Sequence, residues 1–318
     1  METDEPEISV IIPTLHRPGL VTEAIASVLA QTFSNLELLV VVDGPDPPTH
    51  AVLASVTDPR LRVLPLAGHE GAAGARNQGV KKARGKWIAF LDDDDTWSPK
   101  KLEMQLQTAR AATIPYPVVA CRTLARSHRA QHRWPRRYPT AGESMGEYLF
   151  CRRSCFFGEG TLPTSTWFVS RELLSLHPFD SKLRALEDLD WILRVTQDPR
   201  VQVLFVPTDE PLVVWNIDTG RERLSGTTAW ETKLAWAKAR RAWLTPRAYA
   251  GLLLNHVGQT AARTGSWSGL FQLPVEAWRG GEPSVQELVT YCGYWLVPEG
   301  LAERLAGWFA RHHGQWHP

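Results

Sequence analysis

Four consecutive carboxylates, Asp92 to Asp95, follow directly on the apolar run Trp87-Ile88-Ala89-Phe90-Leu91. A buried charge without a partner is costly, and neighbouring like charges repel. A strand that ends in four acids therefore makes most sense with a cation at its tip. Oxygen donors of this kind suit hard divalent ions such as Mg²⁺ or Mn²⁺. The bland alternative is a solvated acidic loop. Two further polar positions stand in the same relation to apolar runs. Thr14 follows Ser9-Val10-Ile11-Ile12-Pro13, and Asp43 closes Leu36 to Val42. Glu187 and Asp188 open a helical pattern, where acids either cap the helix or carry chemistry. A basic stretch at 126–137 holds Arg126, Arg129, Arg133, Arg136 and Arg137 with His128 and His132. It reads as a loop on the binding side, either gripping a phosphate or simply solvated.

The elements that must position these residues alternate along the chain. Ile8 to Ile12 is a β-branched run that reads as a buried strand, ended by Pro13. Pro18 opens a helix with Val21, Ile25, Val28 and Leu29 at helical spacing. Leu36 to Val42 and Leu61 to Leu66 are further strands, and Asp43-Gly44-Pro45 is a turn signal. Ala72 to Ala83 is a small-residue helix before the strand Trp87 to Leu91. Ser98-Pro99 starts another helix. Continuous apolar strands alternating with helices predict a parallel sheet covered on both faces. Ligands of such sheets bind at the carboxyl ends of the strands, where Thr14, Asp43 and Asp92 to Asp95 all fall. After Val118–Ala120 the alternation weakens, with strands expected at Leu162 to Val169, Val201 to Val206 and Pro211 to Trp215, and a helix at Glu187 to Thr196.

With 318 residues, 22% charged and 43% hydrophobic, the chain has the profile of a folded protein with a sizeable core. A net charge of +1 gives no broad field for nucleic acid. Cys151 and Cys155 lack the second pair that a zinc site needs. The acidic start Met1-Glu2-Thr3-Asp4-Glu5 does not resemble a signal peptide, and no apolar run is long enough to span a bilayer. The expected location is the cytoplasm, or the inner face of the membrane. Eight of the fourteen tryptophans lie in 226–318, which marks a separate helical unit. Its periodic positions include Trp230, Leu234 and Ala237, then Tyr249, Leu252 and Leu253, then Leu301, Leu305 and Trp308. Tryptophan with arginine suits either a core or a membrane interface.

Four blocks, in order, resemble family 2 glycosyltransferases, which use the GT-A fold. They are Ser9-Val10-Ile11-Ile12-Pro13-Thr14; Leu39-Val40-Val41-Val42-Asp43-Gly44; Gly71-Ala72-Ala73-Gly74-Ala75-Arg76-Asn77-Gln78-Gly79 leading to Phe90-Leu91-Asp92-Asp93-Asp94-Asp95; and Leu186-Glu187-Asp188-Leu189-Asp190-Trp191. The resemblance runs from Ile8 to about Ser225. It implies an α/β class GT-A architecture, a Rossmann-like, mostly parallel sheet flanked by helices. The expected domains are 1–225, with nucleotide-sugar binding in 1–125 and an acceptor region in 126–225, and a helical C-terminal extension at 226–318.

The family's reaction supplies a job for the acids. An acceptor hydroxyl attacks the anomeric carbon of a nucleotide-diphosphate sugar, and a divalent ion neutralises the departing diphosphate. A single displacement with one base implies inversion. By the family pattern Asp188 is that base, at a helix start whose dipole favours the ionised form, and Glu187 supports it or orients the acceptor. Asp94 binds the metal, while Asp92 holds the ribose or also reaches the metal. Asp93 and Asp95 are supporting neighbours, Asp93 counted with the donor contacts. Pro13, Thr14, Arg17, Asp43 and Arg76 complete the donor site, with Asp43 accepting from a uracil or thymine N3–H. Val42 departs from the family, which places an acid there. Where many relatives carry a metal-binding histidine, this chain reads Trp215-Asn216-Ile217-Asp218. Either Asp218 is the third metal ligand or Arg221 or Arg223 neutralises the diphosphate. Expected partners are a UDP- or dTDP-sugar and a glycan, glycolipid or small-molecule acceptor, with Mg²⁺ or Mn²⁺, no nucleic acid, and peripheral membrane contact through the extension. The setting expected is bacterial polysaccharide or glycoconjugate biosynthesis. A non-catalytic nucleotide-sugar-binding protein and a nucleotidyltransferase are the alternatives.

Overall fold

The apolar runs of the first half, joined by two later strands, build one sheet in the computed structural model, which describes residues 5–128, 130–154, 158–217 and 228–297. Its seven strands are β1 (Ile8–Thr14), β2 (Leu36–Val42), β3 (Leu61–Pro65), β4 (Trp87–Phe90), β6 (Tyr116–Ala120), β9 (Phe168–Ser170) and β10 (Val201–Phe205). They lie in the order β10-β6-β9-β4-β1-β2-β3. All pairs are parallel except those of β9, which runs antiparallel between β4 and β6. A second sheet has the order β5-β11-β7-β8, from β5 (Thr96–Trp97), β7 (Thr123–Arg126), β8 (Gln131–Trp134) and β11 (Val213–Asn216).

Alternation along each strand sends side chains to both faces of the main sheet. Val10 and Ile12 of β1 join a core with Val21, Ile25 and Val28 of α1 (Pro18–Leu29) and Leu102 and Leu106 of α4 (Lys101–Ala111). Ile11 points the other way, toward α3 (Gly71–Lys82). A Cβ at Gly79 of that helix would lie 2.6 Å from Ile11 Cγ2, so the small-residue sequence is what lets α3 lie close on the sheet. Helix α7 (Glu187–Val195) buries Trp191, Ile192, Leu193 and Val195. Trp191 sits 5.1 Å from Trp167 and 5.6 Å from Phe179, ring centre to ring centre. That aromatic cluster anchors the start of α7 beside β4, since Phe179 also meets Phe90 edge-on.

The chain divides into two compact units, Met1–Trp134 with Leu162–Arg221 and Pro135–Thr161 with Glu222–Pro318. The second contains α5 (Met145–Phe150) and helices at Trp230–Ala239, Pro246–Gly251, Gly258–Arg263, Trp267–Gly280 and Val285–Leu296. Its interior holds Trp230, Trp236, Tyr249, Leu253 and Tyr291. No helix of the described residues is long and apolar enough to cross a membrane.

Several local expectations change. The 126–137 stretch is not loop throughout: Arg126 and Arg133 belong to the antiparallel pair β7–β8. Arg137 lies in the second unit, where its guanidinium grips Glu143 at 2.7 and 2.8 Å. The expected acceptor region, 126–225, is thus split. Residues 135–161 pack with the C-terminal helices, Asn255 Nδ2 donating to Phe150 O at 2.8 Å and Thr245 Oγ1 to Glu147 Oε1 at 2.6 Å. The expected strand at 162–169 is a 3-10 turn at Thr164–Thr166 followed by β9. Three short helices, α2 (Pro47–Ala54), α5 and α6 (Arg171–Leu176), have an apolar repeat too short to register in the sequence. Leu301, Leu305, Trp308 and Trp316 lie outside the described residues.

Candidate active site

The parallel strands deliver their polar ends to one edge. Thr14 ends β1, Asp43 follows β2, and the four acids follow β4. At the centre lies Arg76, on the buried side of α3. Its Nη1 donates to Glu187 Oε1 at 2.8 Å and its Nη2 to Asp92 Oδ1 at 2.7 Å. Burial disfavours the guanidinium charge, but the carboxylates of Asp92 and Glu187 more than offset this and push its pKa upward. One side chain therefore ties the acidic run after β4 to the acidic pair at the start of α7. Its Nε is buried without a hydrogen-bond partner.

Each acid of the run has its own surroundings. Asp92 Oδ2 also accepts from Thr164 Oγ1 at 3.0 Å, and its side chain is one-third exposed. Asp93 accepts from Thr14 Oγ1 at 2.8 Å and from Arg17 Nη1 at 3.1 Å. Burial pushes the Asp93 carboxyl up to about 6, against the pull of Arg17. The same Arg17 nitrogen stands 3.8 Å from Asp94 Oδ2. Asp95 is buried, accepting from Ser165 Oγ at 2.6 Å and from Asn216 N at 3.1 Å. Burial, with the charges of Asp92 and Asp94 adding to it, raises its carboxyl well above the usual range. Asp95 thus fastens the acidic turn to the 164–166 turn and β11.

Asp43, at the same edge, is held against the start of α3. Its carboxylate accepts from Glu70 N at 2.7 Å and Gly71 N at 2.9 Å, and His69 Nδ1 lies 2.7 Å from it. It anchors the start of α3, where Gly71 has φ +81°, a left-handed conformation that favours glycine. Pro13 is part of β1, in register with Val41 of β2. Asp188 follows Glu187 at the first turn of α7, its Oδ1 accepting from Leu189 N at 2.8 Å. Leu186, with φ +67°, turns the chain sharply into that helix. Burial first, and then the neighbouring Glu187 charge, push the Asp188 carboxyl up to about 6. The helix dipole favours the ionised form, but desolvation beside a like charge outweighs it.

Thr164, Ser165, Asn216 and His69 were not singled out from the sequence. The one available signal was Thr164-Ser165-Thr166, three hydroxyls interrupting an apolar stretch. Their turn is held from below: Trp97 Nε1 donates to Ser165 O at 2.9 Å, and Gln105 Nε2 to Thr166 O at 2.7 Å. Asp218, Arg221 and Arg223 lie outside the described residues. Among the described residues, no three His, Cys, Asp or Glu side chains gather about one point. The donors at the edge are nevertheless carboxylate oxygens, the type a hard cation takes, and Asp92 and Asp94 both stand in the turn closed by Asp95 N donating to Asp92 O.

A family profile described as "Glycosyl transferase family 2" matches residues 9–176. The chain is 42% identical over 103 residues to the Escherichia coli protein named UDP-Glc:alpha-D-GlcNAc-diphosphoundecaprenol beta-1,3-glucosyltransferase WfgD, covering 32% of this chain and 41% of that one. It is 28% identical over 229 residues to an uncharacterized glycosyltransferase of Haemophilus influenzae, covering 70% of this chain and 72% of that one. The match to WfgD, and that to the Rhizobium meliloti succinoglycan biosynthesis protein ExoO at 31% of its length, spans less than half of either relative. Among solved structures, S. aureus TarS 1-349 in complex with UDP-GlcNAc superposes with a TM-score of 0.56 at 18% identity, covering 98% of this chain and 93% of that one.

Proposed function

The chain belongs to glycosyl transferase family 2, with the GT-A fold, and from that premise we propose that it is an inverting glycosyltransferase. It moves a sugar from a nucleotide-diphosphate sugar to an acceptor hydroxyl in bacterial polysaccharide or glycoconjugate biosynthesis. The observation that carries this reading is the Arg76 bridge, which brings Asp92 and Glu187 into one site.

In this mechanism Asp188 takes the proton of the attacking hydroxyl at its carboxylate. A base with a pKa near 6 is mostly ionised at neutral pH yet still basic enough to accept a proton. Glu187, held by Arg76, orients the acceptor and keeps a negative charge beside Asp188. Thr14, Arg17 and Asp43 line the donor side, where Asp43 accepts from the N3–H of a uracil or thymine. Asp92 holds the ribose. Asp94 and Asp92 are the residues that would hold Mg²⁺ or Mn²⁺, and a bound ion would neutralise the charge of the diphosphate. A uridine donor is supported by the names of WfgD and of the TarS complexes. A lipid-diphosphate acceptor is supported by the name of WfgD. With such an acceptor the enzyme would work at the inner face of a membrane, its helical extension in contact with it.

The test is a panel of UDP- and dTDP-sugars in thermal-shift and transfer assays, with Mn²⁺ or with EDTA. A stabilising UDP-sugar that releases free UDP only when metal and acceptor are present is the expected result. Pyrophosphate release instead would point to nucleotidyl transfer and end this reading.

A further inference from the structure

The helix Trp267–Gly280 is apolar on two opposite sides. Gly269, Leu273 and Ala277 face the interior of their unit. Tyr291 Oη donates to Gly269 O at 2.9 Å, which fixes this inner face. Two residues further along each time, Phe271 and Val275 lie about 200° around the helix from Gly269 and Leu273. Together with Trp267 and Trp278 they form an outward stripe, 74%, 69%, 49% and 67% exposed for Trp267, Phe271, Val275 and Trp278. Ser268, Gln272 and Arg279 line the side between the two apolar faces, so the outward stripe is a bounded apolar patch, the kind that marks a contact surface. The next helix, Val285–Leu296, likewise exposes Val285, Val289 and Leu296.

The chemistry of the stripe indicates what covers it. Tryptophans stand near both of its ends, and tryptophan combines an apolar ring with an N–H suited to a lipid–water boundary. Exposed Arg263 and Arg279 bracket the stripe. The described part of the unit carries eleven Lys and Arg against seven Asp and Glu. A second copy fits less well. A two-fold pairing of these stripes would bring the arginine-flanked surfaces of two net-basic units together.

We propose that the outward face of Trp267–Gly280 docks on an anionic lipid surface, its apolar side chains in the headgroup layer and Arg263 and Arg279 on lipid phosphates. This sharpens the membrane-contact reading given above and rests on it. The experiment is co-sedimentation of the full chain with vesicles of phosphatidylcholine alone or with added phosphatidylglycerol, run without sugar donor. Sedimentation velocity without lipid runs in parallel. Partitioning to the anionic vesicles is expected, weakened about tenfold or more in Phe271→Glu/Trp278→Glu and weakened by salt. Circular dichroism confirms that the variant is folded, and Arg263→Ser/Arg279→Ser gives a second variant that spares the apolar stripe. Its vesicle binding is expected to fall and to lose most of its salt dependence. Absence of vesicle binding at low salt overturns the proposal, as does partitioning indifferent to both variants. A dimer that the Glu variant dissolves overturns it in favour of a second copy. Because binding is read without turnover, a failed transfer assay bears only on the enzymatic reading.

Discussion

Arg76 and Glu187, 111 residues apart in sequence, are joined by a 2.8 Å charge-assisted hydrogen bond in the middle of the site. The other guanidinium nitrogen holds Asp92, so the planar fork of arginine spans two carboxylates that belong to different elements.

Arg76→Lys keeps the charge but cannot span both acids. We expect kcat to fall at least a hundredfold while the fold survives. Arg76→Ala leaves two carboxylates facing a buried gap and costs about 3–5 kcal/mol of stability. Steady-state kinetics and denaturant unfolding of the two variants check this, and a fully active lysine variant would remove Arg76 from the site.

Asp188→Asn removes the proposed base. Transfer should drop by roughly 10²–10⁴-fold while the UDP-sugar still binds, as read by calorimetry. If turnover persists near the parent rate, the base lies elsewhere.

The pH dependence follows from the same group. Asp188 is raised to about 6, so transfer should decline as pH falls through 6 and the carboxylate protonates. Stability runs the opposite way. Between about pH 4 and 6 the folded state binds more protons than the unfolded chain, so the Asp188 contribution is present at low pH and lost as pH rises. Asp188→Asn should therefore gain about 1–3 kcal/mol at pH 7.5 and little at pH 4, measured by unfolding at the two values.

Ser165 Oγ donates to Asp95 and accepts from the backbone N–H of Asp92. Ser165→Ala should cost about 1–3 kcal/mol by leaving the buried Asp95 carboxyl short of a partner. It should also lower kcat, since the acidic turn loses a tie to the turn at 164–166. Thermal unfolding and kinetics together separate the two effects.

Gly79→Ala tests the packing of α3 on the sheet. The added methyl meets Ile11 side-chain atoms at 2.6, 3.1 and 3.2 Å, so about 1–3 kcal/mol of stability should be lost. An unchanged stability would mean that α3 can shift outward at no cost.

The sequence by itself determined the strand ends and what stands on them. Apolar runs record burial, and the acids that interrupt them at Asp43 and Asp92 had to lie at the edge of a sheet. The four ordered blocks carried the family resemblance, and the periodicity of Glu187 to Thr196 carried helix α7. Tertiary structure alone decided the partners. No local pattern could say that Arg76 would bridge Asp92 and Glu187, that Ser165 and Asn216 would hold Asp95, or that β9 would enter antiparallel. Those choices depend on which distant segments the core brings together. The same holds for the state of Asp188. Its position at a helix start was legible, but burial and the adjacent Glu187 set its proton affinity, and burial is a property of the folded chain. The Trp267–Gly280 stripe follows the same rule. Its spacing was written in the sequence, but only packing showed which apolar side the protein leaves to solvent.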